Sequence, residues 1–211
     1  MAHSSVVVPG PDTRLWNAEA DAHDPVSART YGFWLYLMSD GLIFASLIAA
    51  YAVLDNPMGQ FGHATAATLL SAGQGFVQTL VLLGSVLALS LGTLSLKSGN
   101  KGGLALGLII SAALSVVFVV QGLGGLDAAT ATGNGATASG YLAALFTLLY
   151  THIAHLVVGV LWMLIMLVQI NKFGFTTDVV GRLLNLRLYM QFQASVWVVV
   201  YLYVYLLGGA H

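Results

Sequence analysis

The chain has no cysteine, so neither a disulfide framework nor a thiolate metal site is available to it. Charge is almost as scarce: Asp, Glu, Lys and Arg make up 7% of the residues, against about 25% in ordinary soluble domains. No basic stripe is present that would bind nucleic acid, and no glycine-rich phosphate loop adjoins a basic helix start. No proline interrupts any of the long apolar runs, Pro57 in a connection being the nearest. What fills the sequence instead is hydrocarbon, with 58% of residues hydrophobic. A surface so poor in charge is not kept in water, and the fold class expected is an all-α integral membrane protein.

About 20 apolar residues cross a bilayer as a helix, and five such runs are present, at about 31–54, 74–96, 102–126, 141–170 and 188–207. The fourth is long enough to tilt or to project beyond the bilayer. The first 28 residues hold no apolar core of signal-peptide length and read as a mobile tail ahead of a transmembrane domain at 29–211, with the first span as an uncleaved insertion signal. Asp55-Asn56-Pro57, the basic turn Lys97-Ser98-Gly99-Asn100-Lys101, the Ala/Thr/Gly-rich stretch 127–140 and the polar stretch 171–187 separate the spans.

Basic residues flanking membrane spans concentrate in the cytoplasm, and this tests the count of five. With five spans the tail (Arg14, Arg29), the second connection (Lys97, Lys101) and the fourth (Lys172, Arg182, Arg187) share one side, which then carries every Lys and Arg of the chain. Four or six spans would scatter them. The expected topology has a cytoplasmic N-terminus and His211 on the periplasmic face. Small residues recur four apart, as in Gly41/Ala45/Ala49, Gly84/Ala88/Gly92 and Gly103/Gly107, a spacing that lets helix backbones approach closely.

Inside the spans the polar inventory is short: Asp40, Gln78, Gln121, His152, His155, Gln191, Gln193 and some hydroxyls. Low-spin haem takes two axial ligands from opposite sides, yet His152 and His155 lie three apart on one helix. A copper or non-haem iron site needs a third ligand, and the candidates end with Asp40. No catalytic, cofactor or metal residue is therefore assigned. Asp40 lies about 14 Å into its helix when counted from Tyr31 at 1.5 Å per residue. A carboxylate there costs several kcal/mol at the least unless it is paired or protonated. The expected structural polar cluster is Asp40 with His152 and His155, extended by Gln78, Gln121 and Gln191. It serves as a clasp between helices or as a proton relay, and the clasp is the favoured reading.

The string Gly32-Phe33-Trp34-Leu35-Tyr36-Leu37-Met38-Ser39-Asp40 in the first span, and Thr151-His152-Ile153-Ala154-His155 followed by Gly159 and Trp162 in the fourth, resemble two motifs of subunit III of the cytochrome bo-type ubiquinol oxidases, among the haem-copper terminal oxidases. Weaker likeness runs through Val77-Gln78-Thr79 and Val196-Trp197. The resemblance implies a five-helix accessory subunit of the bacterial inner membrane, lacking the two leading helices of many cytochrome c oxidase relatives. It implies no haem or copper in this chain, those being held by subunit I, against which it packs, in a complex with subunits II and IV. Phospholipid in a cleft between helix groups, quinone nearby, support of proton uptake and oxygen access belong to the same expectation. The sequence departs from the family pattern where carboxylates are usual, with Gln78 in the second span and Gln121 in the third, and with Gln191 and Ala194 at the His and Asp positions of the fifth. Two other readings are weighed against it. One is an independent proton or ion transporter centred on Asp40, disfavoured by the odd span count and the lack of an internal repeat. The other is subunit III of a cytochrome c oxidase, disfavoured by the five-span length.

Overall fold

The computed structural model describes residues 25–96 and 99–208. Most of the expected N-terminal tail, including Arg14, lies outside the described residues, as do Lys97 and His211. The described chain is all helical, with no strand among its residues, in the order α1 (Pro25–Leu54), α2 (Pro57–Gln60), α3 (Ala66–Leu69), α4 (Ala72–Leu94), α5 (Lys101–Ala131), α6 (Gly140–Phe173) and α7 (Thr177–Val200), which continues as a π-helix over Tyr201–Leu207. Five stretches are long and apolar enough to cross a membrane: Thr30–Leu54, Ala72–Leu94, Lys101–Ala131, Gly140–Phe173 and Thr177–Leu207. The five-span, all-α fold read from hydropathy is the fold observed.

Polar residues at the breaks set the helix starts. Asn56 accepts hydrogen bonds from the backbone N–H groups of Met58 and Gly59, with Pro57 in the first helical turn of α2. Asn100 caps α5 through Gly103 N–H, Ser139 caps α6 through Leu142 N–H, and Thr176 caps α7 through Val179 N–H. Each cap occupies one of the backbone donors that a helix start leaves free.

Helices outrun hydrophobic runs. The polar stretch 171–187 is mostly helix, because α7 begins at Thr177. Its first turns bury only Val179, Leu183 and Leu186, an apolar residue every three or four positions, which a helix requires and a hydropathy average dilutes. Likewise α5 runs on past Asp127 to Ala131, and α1 starts at Pro25, before the apolar run begins. At about 1.5 Å per residue α6 is about 50 Å long, against about 30 Å of hydrocarbon, so its ends project or it tilts.

The centre of the bundle is the antiparallel pair α6 and α7. On one side α1 packs against both; on the other α5 packs against α6 and α4 against α7, with α4 and α5 forming the most extensive pairing of all. That pairing has a cause in the small-residue rows. A Cβ added to Gly107 would lie 2.5 Å from the Gly92 Cα and 2.9 Å from the Ala88 carbonyl oxygen, so the two backbones touch. Farther along the pair, the buried Ser85 hydroxyl lies 3.0 Å from that of Ser111 and 2.8 Å from that of Ser115. Such contacts hold helices together where lipid offers no hydrophobic drive. Gly41 meets Phe192 of α7 at ordinary contact distance, whereas Gly103 packs on Ser95 within the tight α4–α5 turn.

We expect Gly107→Ala to destabilise the protein by about 1–3 kcal/mol, the usual cost of overpacking, because backbone has to move. Gly32→Ala, whose Cβ would meet nothing within 4 Å, should be neutral or gain up to about 1 kcal/mol of helix propensity. Thermal unfolding of the two variants in the same detergent checks the difference; equal melting temperatures would contradict the close approach.

Candidate functional site

Asp40 on α1 and His155 on α6 meet across the bundle, with Nε2 3.0 Å from the carboxyl Oδ1. The other ring nitrogen, Nδ1, lies 2.7 Å from the Thr151 carbonyl oxygen. A carbonyl only accepts, so Nδ1 carries a proton and donates it there. One further proton is left for the Asp40–His155 contact. It sits either on the carboxyl, which then donates to a neutral imidazole, or on Nε2, which makes an imidazolium–carboxylate pair. Tyr189 of α7 donates its hydroxyl to the His155 carbonyl oxygen at 2.8 Å, tying the third helix to the same turn. Asp40 is buried and His155 is half-buried.

His152 is placed differently. It is completely buried, and neither ring nitrogen has a hydrogen-bond partner. Its surroundings are rings: Trp197 stacked at 5.2 Å between centroids, Phe118 at 5.8 Å and Phe44 at 6.0 Å. Phe44 also lies 5.0 Å from the His155 ring, so one phenyl borders both the paired histidine and the unpaired one. The second carboxyl oxygen of Asp40 and both amide atoms of Gln193 are buried without partners as well.

A second polar group lies between α4 and the end of α7. Trp197 donates from Nε1 to the Thr79 hydroxyl at 3.0 Å, and Thr79 passes its own proton to the Gly75 carbonyl at 2.8 Å. Tyr205, in the π-helix, points its hydroxyl at the Gln78 amide oxygen at 3.4 Å. Of these, Gln78, Trp197 and Tyr205 line a cavity of about 480 Å³, with Phe118, Gln121 and Gly125 contributed by α5.

Of the six expected cluster residues, the structure joins Asp40 with His155 directly and brings His152 to the same region without a bond. Gln78 and Gln121 line the cavity, and Gln191 faces outward, its carbonyl accepting from Ser195. Sequence reasoning missed Tyr189 and gave no role of their own to Thr79, Gln193 or the ring of Trp197. The available signal was the spacing Tyr189, Gln193, Trp197, four apart along one buried face of α7. Among the described residues no three His, Cys, Asp or Glu side chains converge as a metal ion would need. The arrangement can hold helices together and keep one proton on a buried pair; it offers no open coordination position and no nucleophile set against a base.

Asp40→Asn keeps a hydrogen-bonding group of the same shape beside His155 and should cost less than about 1 kcal/mol, whereas Asp40→Leu leaves Nε2 unmatched and should cost about 1–3 kcal/mol. Equal losses by thermal unfolding would show that the pairing is not what stabilises. His152→Phe removes two unpartnered buried nitrogens while keeping a ring in the ring box, so its melting temperature should hold or rise. A fall of several degrees would reveal a polar partner of His152.

Sequence comparison places this geometry among known proteins. The family described as cytochrome c oxidase subunit III matches residues 21–209. The cytochrome bo(3) ubiquinol oxidase subunit 3 of Pseudomonas putida is 37% identical over 188 residues, covering 88% of this chain and 89% of that one. The protein of the same name from Pseudomonas aeruginosa is 34% identical over 188 residues, with 89% of each chain covered. A third, from Buchnera aphidicola subsp. Baizongia pistaciae, is 34% identical over 184 residues, with 86% of this chain and 93% of its own covered. Two motif-bearing helices, five spans and near full-length matches agree: this chain belongs to the cytochrome c oxidase subunit III family.

Proposed function

We propose that this protein is the non-catalytic third subunit of a proton-translocating quinol oxidase, sitting in a bacterial inner membrane and stabilising a haem-copper subunit I, with subunits II and IV in the same complex. The observation that carries the reading is what the bundle does with its few ionisable groups. Asp40 is spent on His155, His152 is sealed among rings, and among the described residues no three His, Cys, Asp or Glu side chains converge as a metal centre would need. On this reading the electron chemistry for which its relatives are named is carried by neighbouring chains, and this one supplies packing surface. Trp34, Leu35, Leu42 and Ile43 of α1 are exposed, a broad apolar face suited to lipid or to a neighbouring helix.

The charge pattern supports a cytoplasmic tail. Lys101 packs over the Phe175 ring and beside Gly174, and Arg187 reaches Thr93 at the end of α4. The second and fourth connections thus form one basic end of the bundle, the end that positive-inside behaviour assigns to the cytoplasm. Lipid held by the bundle, and support of proton uptake and oxygen access in subunit I, follow from the same role.

Purifying the complex through a tag on this chain tests it. A haem spectrum should accompany the tag, and this chain alone, expressed without its partners, should carry none. A lone, haem-free oligomer from cells respiring on quinol would overturn the proposal in favour of an independent membrane protein centred on Asp40.

A further inference from the structure

Three buried polar atoms at the junction of α1, α6 and α7 have no hydrogen bond to the protein: Oδ2 of Asp40, and Oε1 and Nε2 of Gln193. They belong to one layer of the bundle. Gly41, which follows Asp40 on α1, is in contact with the ring of Phe192, which precedes Gln193 on α7. The Tyr189 hydroxyl, one turn before Gln193, is close enough to the Asp40 carboxyl and to the Gln193 amide to interact with both. It donates its own proton to the His155 carbonyl oxygen at 2.8 Å. One turn away on the same helices, Leu37, Phe44, Tyr189 and Met190 are buried as well, so the layer is closed to large molecules. Buried donors and acceptors are nearly always matched, by protein or by an ordered water. Whichever partner of the Asp40–His155 contact holds the shared proton, Oδ2 is an acceptor, and so is the Gln193 Oε1. Two acceptors do not satisfy each other; what they lack is a donor of two hydrogens.

We propose that this layer is a binding site for one sealed water molecule, which donates one hydrogen to Asp40 Oδ2 and the other to Gln193 Oε1 and so joins α1 to α7. The Gln193 NH2 group then turns to the Tyr189 oxygen, which has lone pairs to spare. The result is a closed loop through three helices: Asp40, water, Gln193, Tyr189, the His155 backbone, and back through the His155 ring to Asp40. A cation does not suit the site. With one proton shared between them, Asp40 and His155 together carry no net charge, so a metal ion would add an uncompensated charge inside hydrocarbon, whereas water adds none. A buried water of this kind normally serves polar groups that the protein leaves unmatched. His152, held among the rings of Phe44, Phe118 and Trp197, takes no part in the loop.

The test is X-ray radiolytic labelling of the full chain, purified in detergent through a tag together with whatever chains accompany it, and read by mass spectrometry. Radiolysis turns water into hydroxyl radicals where it stands, so a buried ring is oxidised only if a water lies beside it. Tyr189 is compared with Tyr141, equally buried but with its hydroxyl already bonded to Tyr51 and to the Ala66 N–H. We expect Tyr189 to be oxidised at least fivefold more than Tyr141. After brief mixing with oxygen-18 water, Tyr189 should still take up the original isotope, while exposed Tyr31 takes up the new one. Gln193→Met, which removes the amide, should bring Tyr189 labelling down to the level of Tyr141 and leave Tyr31 unchanged. Labelling of Tyr189 no greater than that of Tyr141 would mean that Gln193 bonds the carboxyl directly, and would overturn the proposal. So would uptake of the new isotope at Tyr189 as fast as at Tyr31, or labelling indifferent to Gln193→Met. The comparison of Tyr189 with Tyr141 needs no variant, so it decides even if Gln193→Met does not accumulate. None of these outcomes bears on whether the chain travels with a haem protein, and the subunit assignment stands or falls separately.

Discussion

A carboxyl group set in hydrocarbon has to be answered by protein, and the answer to Asp40 is His155. No other carboxylate among the described residues lies so deep in a span, so this contact fixes where α1 can dock. Rotating α1 about its axis by one residue would swing the carboxyl about 100° away from α6 and leave a polar group facing lipid, at a cost of several kcal/mol. The apolar residues of α1 give no such instruction, because a leucine is as comfortable against lipid as against another helix. One polar pair therefore does for α1 what a hydrophobic stripe does for a helix in water. Tyr51 and Tyr141, whose hydroxyls lie 3.0 Å apart, and the Ala66 N–H that donates to Tyr141 repeat the logic at the other end of α1.

On the opposite side of α6 and α7 the instruction is steric. Contact between Gly92 and Gly107 closes α4 on α5 at one end, and the serine trio of Ser85, Ser111 and Ser115 keeps them together through the middle. Beyond Phe118 the α5 face turns to Gln121, Gly122 and Gly125, where there is little side chain to bridge to α4. The pair then splays, and the space is partly filled from elsewhere, by Leu70 and by the tyrosines of the π-helix. The same small residues that bring helix backbones together in one place leave them unfilled in another; which happens depends on whether the facing residue is also small.

Span number and helical class were legible because they rest on hydropathy and length, which the bilayer enforces. Pairing was legible in part. The structure joins Asp40 with His155 and sets His152 beside the same phenyl, Phe44, a division between the two histidines that the sequence did not make. Three residues along a helix amount to about 300° of rotation, so the rings diverge by about 60°, enough to aim His155 at the carboxyl and His152 into the rings of Phe118 and Trp197. Gln191 and Gln193 differ by about 200° for the same reason, and only one of them is buried. In a soluble helix the hydrophobic face would have revealed which. Here Val198 and Val199 are exposed while Gln193 is buried, and polarity carries the opposite information or none. The start of α7 was missed for the complementary reason: outside the hydrocarbon, ordinary amphipathic rules return at Val179 and Leu183, and a reading tuned to membrane runs passes over them.

The amides at positions 78 and 121 connect the departures in the sequence to the shape of the bundle. Where the resemblance leads one to expect carboxylates, the chain has glutamines, and both stand on the wall of one cavity. A pair of carboxylates there would need protons or cations to be tolerated. Amides need neither; they stay neutral at any pH and ask only for hydrogen-bond partners, of which the protein supplies one, the Tyr205 hydroxyl. Exchanging acid for amide thus removes titration from this part of the bundle while leaving its capacity to recognise. The Asp40–His155 pair and the sealed His152 do not line the cavity. The bundle therefore keeps its holding contact and its unfilled space in separate places.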